Sequence, residues 1–134
     1  MMLRLHRLLA VPATLLAALA LGAGAAAACG VAAVCADVEA SFSGTIVLEG
    51  IRLEWATDEE DASTASYRIS RYDCGDPAAC SVYVGELAAR GECSALEEYV
   101  GYDAQPSGGP WTYRLAVWAS GGSEPVCTTD TVPE

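Results

Sequence analysis

Three stretches of this chain alternate in the manner of strands, with apolar side chains at every second position apart from Arg71: Ile51-x-Leu53-x-Trp55, Tyr67-x-Ile69-x-Arg71 and Tyr113-x-Leu115-x-Val117-x-Ala119. A period of two sends successive side chains to opposite faces of an extended backbone, so each stretch is expected to be a strand burying one face. Extending the pattern predicts seven strands, at 40–47, 51–57, 67–74, 81–87, 97–103, 111–120 and 125–132. Turn residues separate them: Leu48-Glu49-Gly50 divides the first two, and an acidic stretch, Asp58 to Asp61, leads toward the third. No helical period stands out after residue 28, and the expected fold class is all-β, an antiparallel sandwich of seven strands.

The first 28 residues have a different pattern. Arg4, His6 and Arg7 form a basic start, Leu8 to Leu21 is apolar apart from Pro12 and Thr14, and Gly22 to Ala28 consists of small residues. That is the plan of a secretory signal peptide, with cleavage expected before Cys29. The predicted organisation is a signal peptide at 1–28, a short N-terminal segment at 29–39 and one domain at 40–134. An alternative makes Cys29 the lipid-bearing first residue of a lipoprotein, although Ala26 stands where such sites usually carry leucine. The chain is then secreted, extracellular or periplasmic, or else anchored to the cell envelope through Cys29.

Export changes the charge. Removing Arg4 and Arg7 leaves five arginines against eighteen carboxylates, a net charge of −13. Nucleic acid and anionic membrane surfaces are poor partners for such a chain, and membrane contact is expected only if Cys29 is lipidated. The part after residue 28 has no lysine, asparagine or histidine. A serine or cysteine nucleophile therefore lacks its usual general base, and no enzyme activity is expected.

Six cysteines in a short exported chain point to three disulfides. Fifteen pairings are open. Cys74 with Cys80 is favoured, because Gly75, Asp76 and Pro77 supply a turn between them, and Cys93 with Cys127 and Cys29 with Cys35 follow by elimination.

The strand residues resemble those of the fibronectin type III domain, and most closely the fibronectin type III like modules of secreted bacterial proteins. In those modules L-E-W-x-T-x-x-E is followed by Y-R-I-x-R. Here stand Leu53, Glu54, Trp55, Thr57 and Glu60, then Tyr67, Arg68, Ile69 and Arg71, with Ala89-Arg90-Gly91 and Tyr102-Asp103 as further matches. The likeness spans about 40–132, and the cysteines depart from it. It implies an immunoglobulin-like sandwich in which Trp55 lies in the core and Tyr113 is a corner tyrosine bonded to nearby backbone. It also implies a non-catalytic module serving adhesion or scaffolding.

Binding candidates come from the alternation. With Tyr67, Ile69, Tyr113, Leu115 and Val117 inward, Arg68, Tyr72, Arg114 and Trp118 face outward, and the resemblance makes their two strands neighbours. Arginine beside aromatic rings suits a protein partner or a carbohydrate, or else forms a cross-strand ladder that stiffens the sheet. The run Asp58-Glu59-Glu60-Asp61 lacks the alternating oxygens and glycine turn that calcium requires, so it is expected to be a solvated loop. Glu97 and Glu98, as neighbours on a strand, face opposite sides and cannot flank one glycosidic bond. No metal and no cofactor is expected.

Overall fold

The computed structural model describes residues 29–134 apart from 105. The signal peptide expected at 1–28 lies outside the described residues. The fold is a β-sandwich of two antiparallel sheets. Its elements are helix α1 (Val31–Ser41), strands β1 (Ser43–Val47), β2 (Gly50–Thr57) and β3 (Thr64–Tyr72), a helical turn α2 (Pro77–Cys80), then β4 (Val82–Ala88), β5 (Glu97–Ala104), β6 (Thr112–Ala119) and β7 (Cys127–Thr131). One sheet has the order β1-β2-β5 and the other β4-β3-β6-β7. All seven expected strands are present.

Alternation decides the inner faces as expected. Leu53 and Trp55 of β2, Tyr99 of β5, Tyr67 and Ile69 of β3, and Tyr113, Leu115 and Val117 of β6 are all buried. Four aromatic rings form the centre of this core. Trp55 stacks on Tyr99 with centroids 5.5 Å apart, Tyr67 leans on Tyr99 at 4.8 Å, and Phe42 meets Trp55 edge-on at 6.1 Å. Such pairs add about 0.5–1.5 kcal/mol each beyond their buried area.

Helix α1 corrects the sequence reading, which had residues 29–39 as a short segment and started a strand at 40. Val34 and Val38, four residues apart on one face, are buried in the core, with Val31 and Cys35 packed against them. Alanines at 32, 33 and 36 continue the small-residue run of the leader and blur this stripe, yet alanine is the best helix former. The helix lies across β2, β6 and β7. Gly30 precedes it with φ at 136°, a value that side-chain-bearing residues avoid.

The helix also redirects two disulfides. Cys74 pairs with Cys80 as expected, around α2, where the Asp76 side chain accepts from Ala78 N at 3.1 Å and Pro77 takes the first helical position. The pairs Cys93 with Cys127 and Cys29 with Cys35 do not form. Instead Cys29 joins Cys93 and Cys35 joins Cys127, with Cα atoms 5.7 and 6.1 Å apart. Gly30 N donates to Glu59 O at 2.8 Å and Ser94 N donates to Asp58 O at 2.7 Å, so the β2–β3 loop gathers the neighbours of Cys29 and Cys93. Cys35, inside the helix, is carried to the start of β7.

Beyond β7 the main chain crosses to the other sheet. Ile46 N donates to Glu134 O at 3.0 Å and Glu134 N donates to Gly44 O at 3.2 Å, so the outer edge of β1 is partly paired. The seam between the sheets is thus covered by α1 at one end and by residues 132–134 at the other.

Candidate functional site: an apolar groove beside a closed ladder

Arg68, Tyr72, Arg114 and Trp118 do share one face of the larger sheet, because β3 and β6 are neighbours in the register Ser66 to Trp118 and Ser70 to Arg114. They form two separate ladders. The Arg68 guanidinium lies 3.9 Å over the Trp118 ring, with Glu86 3.5 Å from its Nε. Arg114 lies 5.3 Å over the Tyr72 ring and donates to both oxygens of Asp130, at 2.8 and 2.9 Å. Tyr72 donates its hydroxyl to Asp130 Oδ2 at 2.8 Å. The hydrogen bonds from Arg114, ahead of those from Tyr72, hold the Asp130 carboxyl below its ordinary range, and Asp130 in turn raises Tyr72. One face of each ring is taken by its own arginine, the geometry of a stiffening ladder.

At the end of the sandwich away from α1, Arg71 projects inward from β3 and Asp103 inward from β5. Arg71 Nη1 donates to both Asp103 oxygens, at 2.8 and 2.6 Å, and Tyr113 adds its hydroxyl at 2.6 Å. This tie across the sheets replaces the backbone bond that the resemblance implies for Tyr113. Burial first, and the Asp103 hydrogen bond second, push the Tyr113 hydroxyl above its ordinary value. Arg71 also lies 4.9 Å from the Trp111 ring.

Beside Tyr113 and Trp111 opens a groove of about 340 Å³, within the range of small-molecule sites. One wall is Ile46 and Leu48 of the β1–β2 hairpin, and the other is Pro106, Pro110 and Trp111 of the β5–β6 loop. Val132 and Pro133 close its side. No charged side chain lines it among the described residues. Its rim is exposed: Ile46 is 65% accessible, Val132 62% and Leu48 95%. The sequence reading missed this groove. Its one signal was Leu48, an apolar residue in a tight turn where glycine, asparagine, aspartate or serine is usual.

The acidic loop also departs from expectation. Glu60 is not solvated but only 1% exposed. Its carboxyl group accepts Tyr67 Oη–H at 2.6 Å, Tyr99 Oη–H at 2.5 and 2.7 Å, and Gly91 N–H at 2.9 Å. Tyr99 Oη accepts in turn from Arg90 N at 3.1 Å. Burial, followed by the hydrogen bond to Glu60, pushes the Tyr99 hydroxyl up to about 12 and raises Tyr67 as well. Gly91 is required here, since a Cβ at that position would overlap Glu60 Oε1 and Glu97 Cγ. Outside this cluster, Asp37, Asp58 and Glu59 bring carboxyl oxygens within 4.8 Å of one another. Three such oxygens fall short of the six to eight that calcium takes, and Asp37 Oδ2 already accepts from Thr57 Oγ1 at 2.8 Å.

No protein family, characterised protein or solved structure matches the chain.

Proposed function

We propose that the chain is an exported, non-catalytic binding or structural module of fibronectin type III like, immunoglobulin-like topology, working in the cell envelope or outside the cell. The groove between the β1–β2 hairpin and the β5–β6 loop carries the binding part of this reading. Its lining offers apolar surface and no acid, base or nucleophile free to react, because the Tyr113 hydroxyl is held by Asp103. The neighbouring of β3 and β6, with Trp55 in the core, supports the topology.

Three disulfides support export, since such bonds persist where the compartment is oxidising. The bond between Cys29 and Cys93 favours the free form over the lipid-anchored one, because a thiol held in a disulfide is not available for a thioether to lipid. Among the described residues no helix is long and apolar enough to cross a membrane. Carbohydrate is the weaker reading of the binding role, because arginines cover Trp118 and Tyr72 and the groove has few partners for sugar hydroxyls, whose burial unpaired is costly.

Titration of dilute, export-purified protein with the neutral dye N-phenyl-1-naphthylamine tests the groove. Saturable dye emission that disappears in the Val132→Asp variant is expected. Emission unchanged by that substitution removes the groove from the proposal. Intact mass of the same product tests the free form, expected as six cysteines less six hydrogens, whereas diacylation of Cys29 adds the mass of two acyl chains.

A further inference from the structure

We propose that the Asp76–Pro77 peptide bond is a self-cleavage site, at which the Asp76 side chain cuts the chain while the fold keeps the two pieces together. The inference goes beyond the binding role and does not depend on the groove. Asp76-Pro77 is the one Asp-Pro step in the sequence. Such a step sets a carboxyl group beside a tertiary amide, whose nitrogen carries no hydrogen and leaves readily once protonated. The fold adds access and hydrogen bonds. Asp76 is exposed in the β3–β4 connection, with Gly75, Ala78 and Ala79 exposed around it, so water reaches the bond. Ala79 N donates to the Asp76 carbonyl oxygen at 3.0 Å, where negative charge develops when that carbonyl is attacked. Ala78 N donates to Asp76 Oδ1 at 3.1 Å, which anchors the carboxyl group and leaves Oδ2 as the nucleophile. Asp73 is the other carboxylate of this connection.

In the reaction Asp76 Oδ2 bonds to the carbonyl carbon of its own residue and closes a cyclic anhydride. The electron pair of the broken C–N bond goes to Pro77 N, which leaves as a protonated secondary amine. Water then opens the anhydride and restores Asp76, now a C-terminal residue with both carboxyl groups free. One water is consumed, and nothing is oxidised or reduced. All three disulfides cross the cut, since Cys29–Cys93, Cys35–Cys127 and Cys74–Cys80 each have one cysteine on either side of it. Strands β3 and β4 flank it and stay paired from Ser66 with Ala88 to Arg71 with Val82. Cleavage therefore yields a two-chain molecule and releases neither chain.

Intact mass of the full exported product, followed over time in mildly acidic acetate buffer, tests this. The expected product gains one water and stays in one piece until it is reduced. Reduction then separates a chain ending at Asp76 from a chain beginning at Pro77. The folded protein should be cut about tenfold faster than the same chain reduced, alkylated and unfolded in urea, a smaller gain than a donor gives in a water-excluded site. Asp76→Ser keeps a side chain that caps α2 and removes the nucleophile, so it should abolish the cut and leave the thermal melt of the uncut protein unchanged. Wild type that stays uncut overturns the proposal, as does a cut at another bond or one that persists in Asp76→Ser. Equal rates in the folded and unfolded chain overturn it too, because the hydrogen bonds from Ala78 and Ala79 then contribute nothing.

Discussion

Glu60 belongs to a run of four acids, and its neighbours Asp58 and Asp61 are exposed, yet its side chain lies inside the sandwich. What makes that burial tolerable is the company of donors: two tyrosine hydroxyls and one backbone N–H reach its oxygens. Buried polar groups cost little when every one is paired and a great deal when a partner is removed. Glu60→Ala should therefore strand the hydroxyls of Tyr67 and Tyr99 and the N–H of Gly91 together. A loss of about 3–5 kcal/mol in chemical denaturation is expected, well above the cost of removing an exposed acid such as Asp58. A loss under about 1 kcal/mol would mean that the three donors find other acceptors.

At the scale of elements, the outer ladders stiffen β3, β6 and β7 by tying residues that lie opposite or diagonal to one another. Arg114, Tyr72 and Asp130 come from three adjacent strands. Because folding lowers the Asp130 carboxyl below its ordinary value of 3.8, the ladder's contribution is complete above that pH and is lost as pH falls through the lower folded value. Asp130→Asn should flatten that part of the acid limb and lower stability at neutral pH by about 0.5 kcal/mol, the scale of a largely exposed pair. Denaturant midpoints of wild type and variant compared across acid pH would show it, and parallel curves would count against the ladder.

Strand positions could be read from the chain because a period of two survives wherever one face is buried: Tyr67, Ile69, Leu115 and Val117 occupy their expected face without exception. Helix α1 could not, because its stripe of Val31, Val34 and Val38 is diluted by alanines that suit either face. The ladders followed from alternation, while their internal pairing with Glu86 and Asp130 depended on register. Burial of Glu60 was not legible, since charge alone points to solvent and its donors Tyr67, Tyr99 and Gly91 lie 7 to 39 residues away. The groove was harder still. It is assembled from three segments far apart in sequence, and no local pattern brings Leu48, Trp111 and Val132 together.

For the molecule as a whole, the sandwich and α1 are held together by covalent bonds at Cys29–Cys93 and Cys35–Cys127. The Cys35–Cys127 bond spans a separation of 92 residues, and on the chain-entropy model a loop of that length adds about 4.6 kcal/mol by restricting the unfolded state. Replacing both cysteines by serine should lower stability on that scale and loosen α1 first, since it contributes Val34 and Val38 to the core from outside the sheets. Hydrogen exchange would show α1 amides losing protection ahead of β3 and β6. Equal loss across all elements would mean that the helix does not depend on the bond.

The same bond bears on how the chain responds to being pulled. A force applied between the two ends enters at α1 and leaves at β7, and the sulfur link joins those elements directly. Tension is carried across the covalent bridge, and nothing between residues 35 and 127 can be drawn out until it breaks. In an oxidising setting the stretch between Cys35 and Cys127 is therefore nearly inextensible. Reduction would restore the long contour hidden inside it.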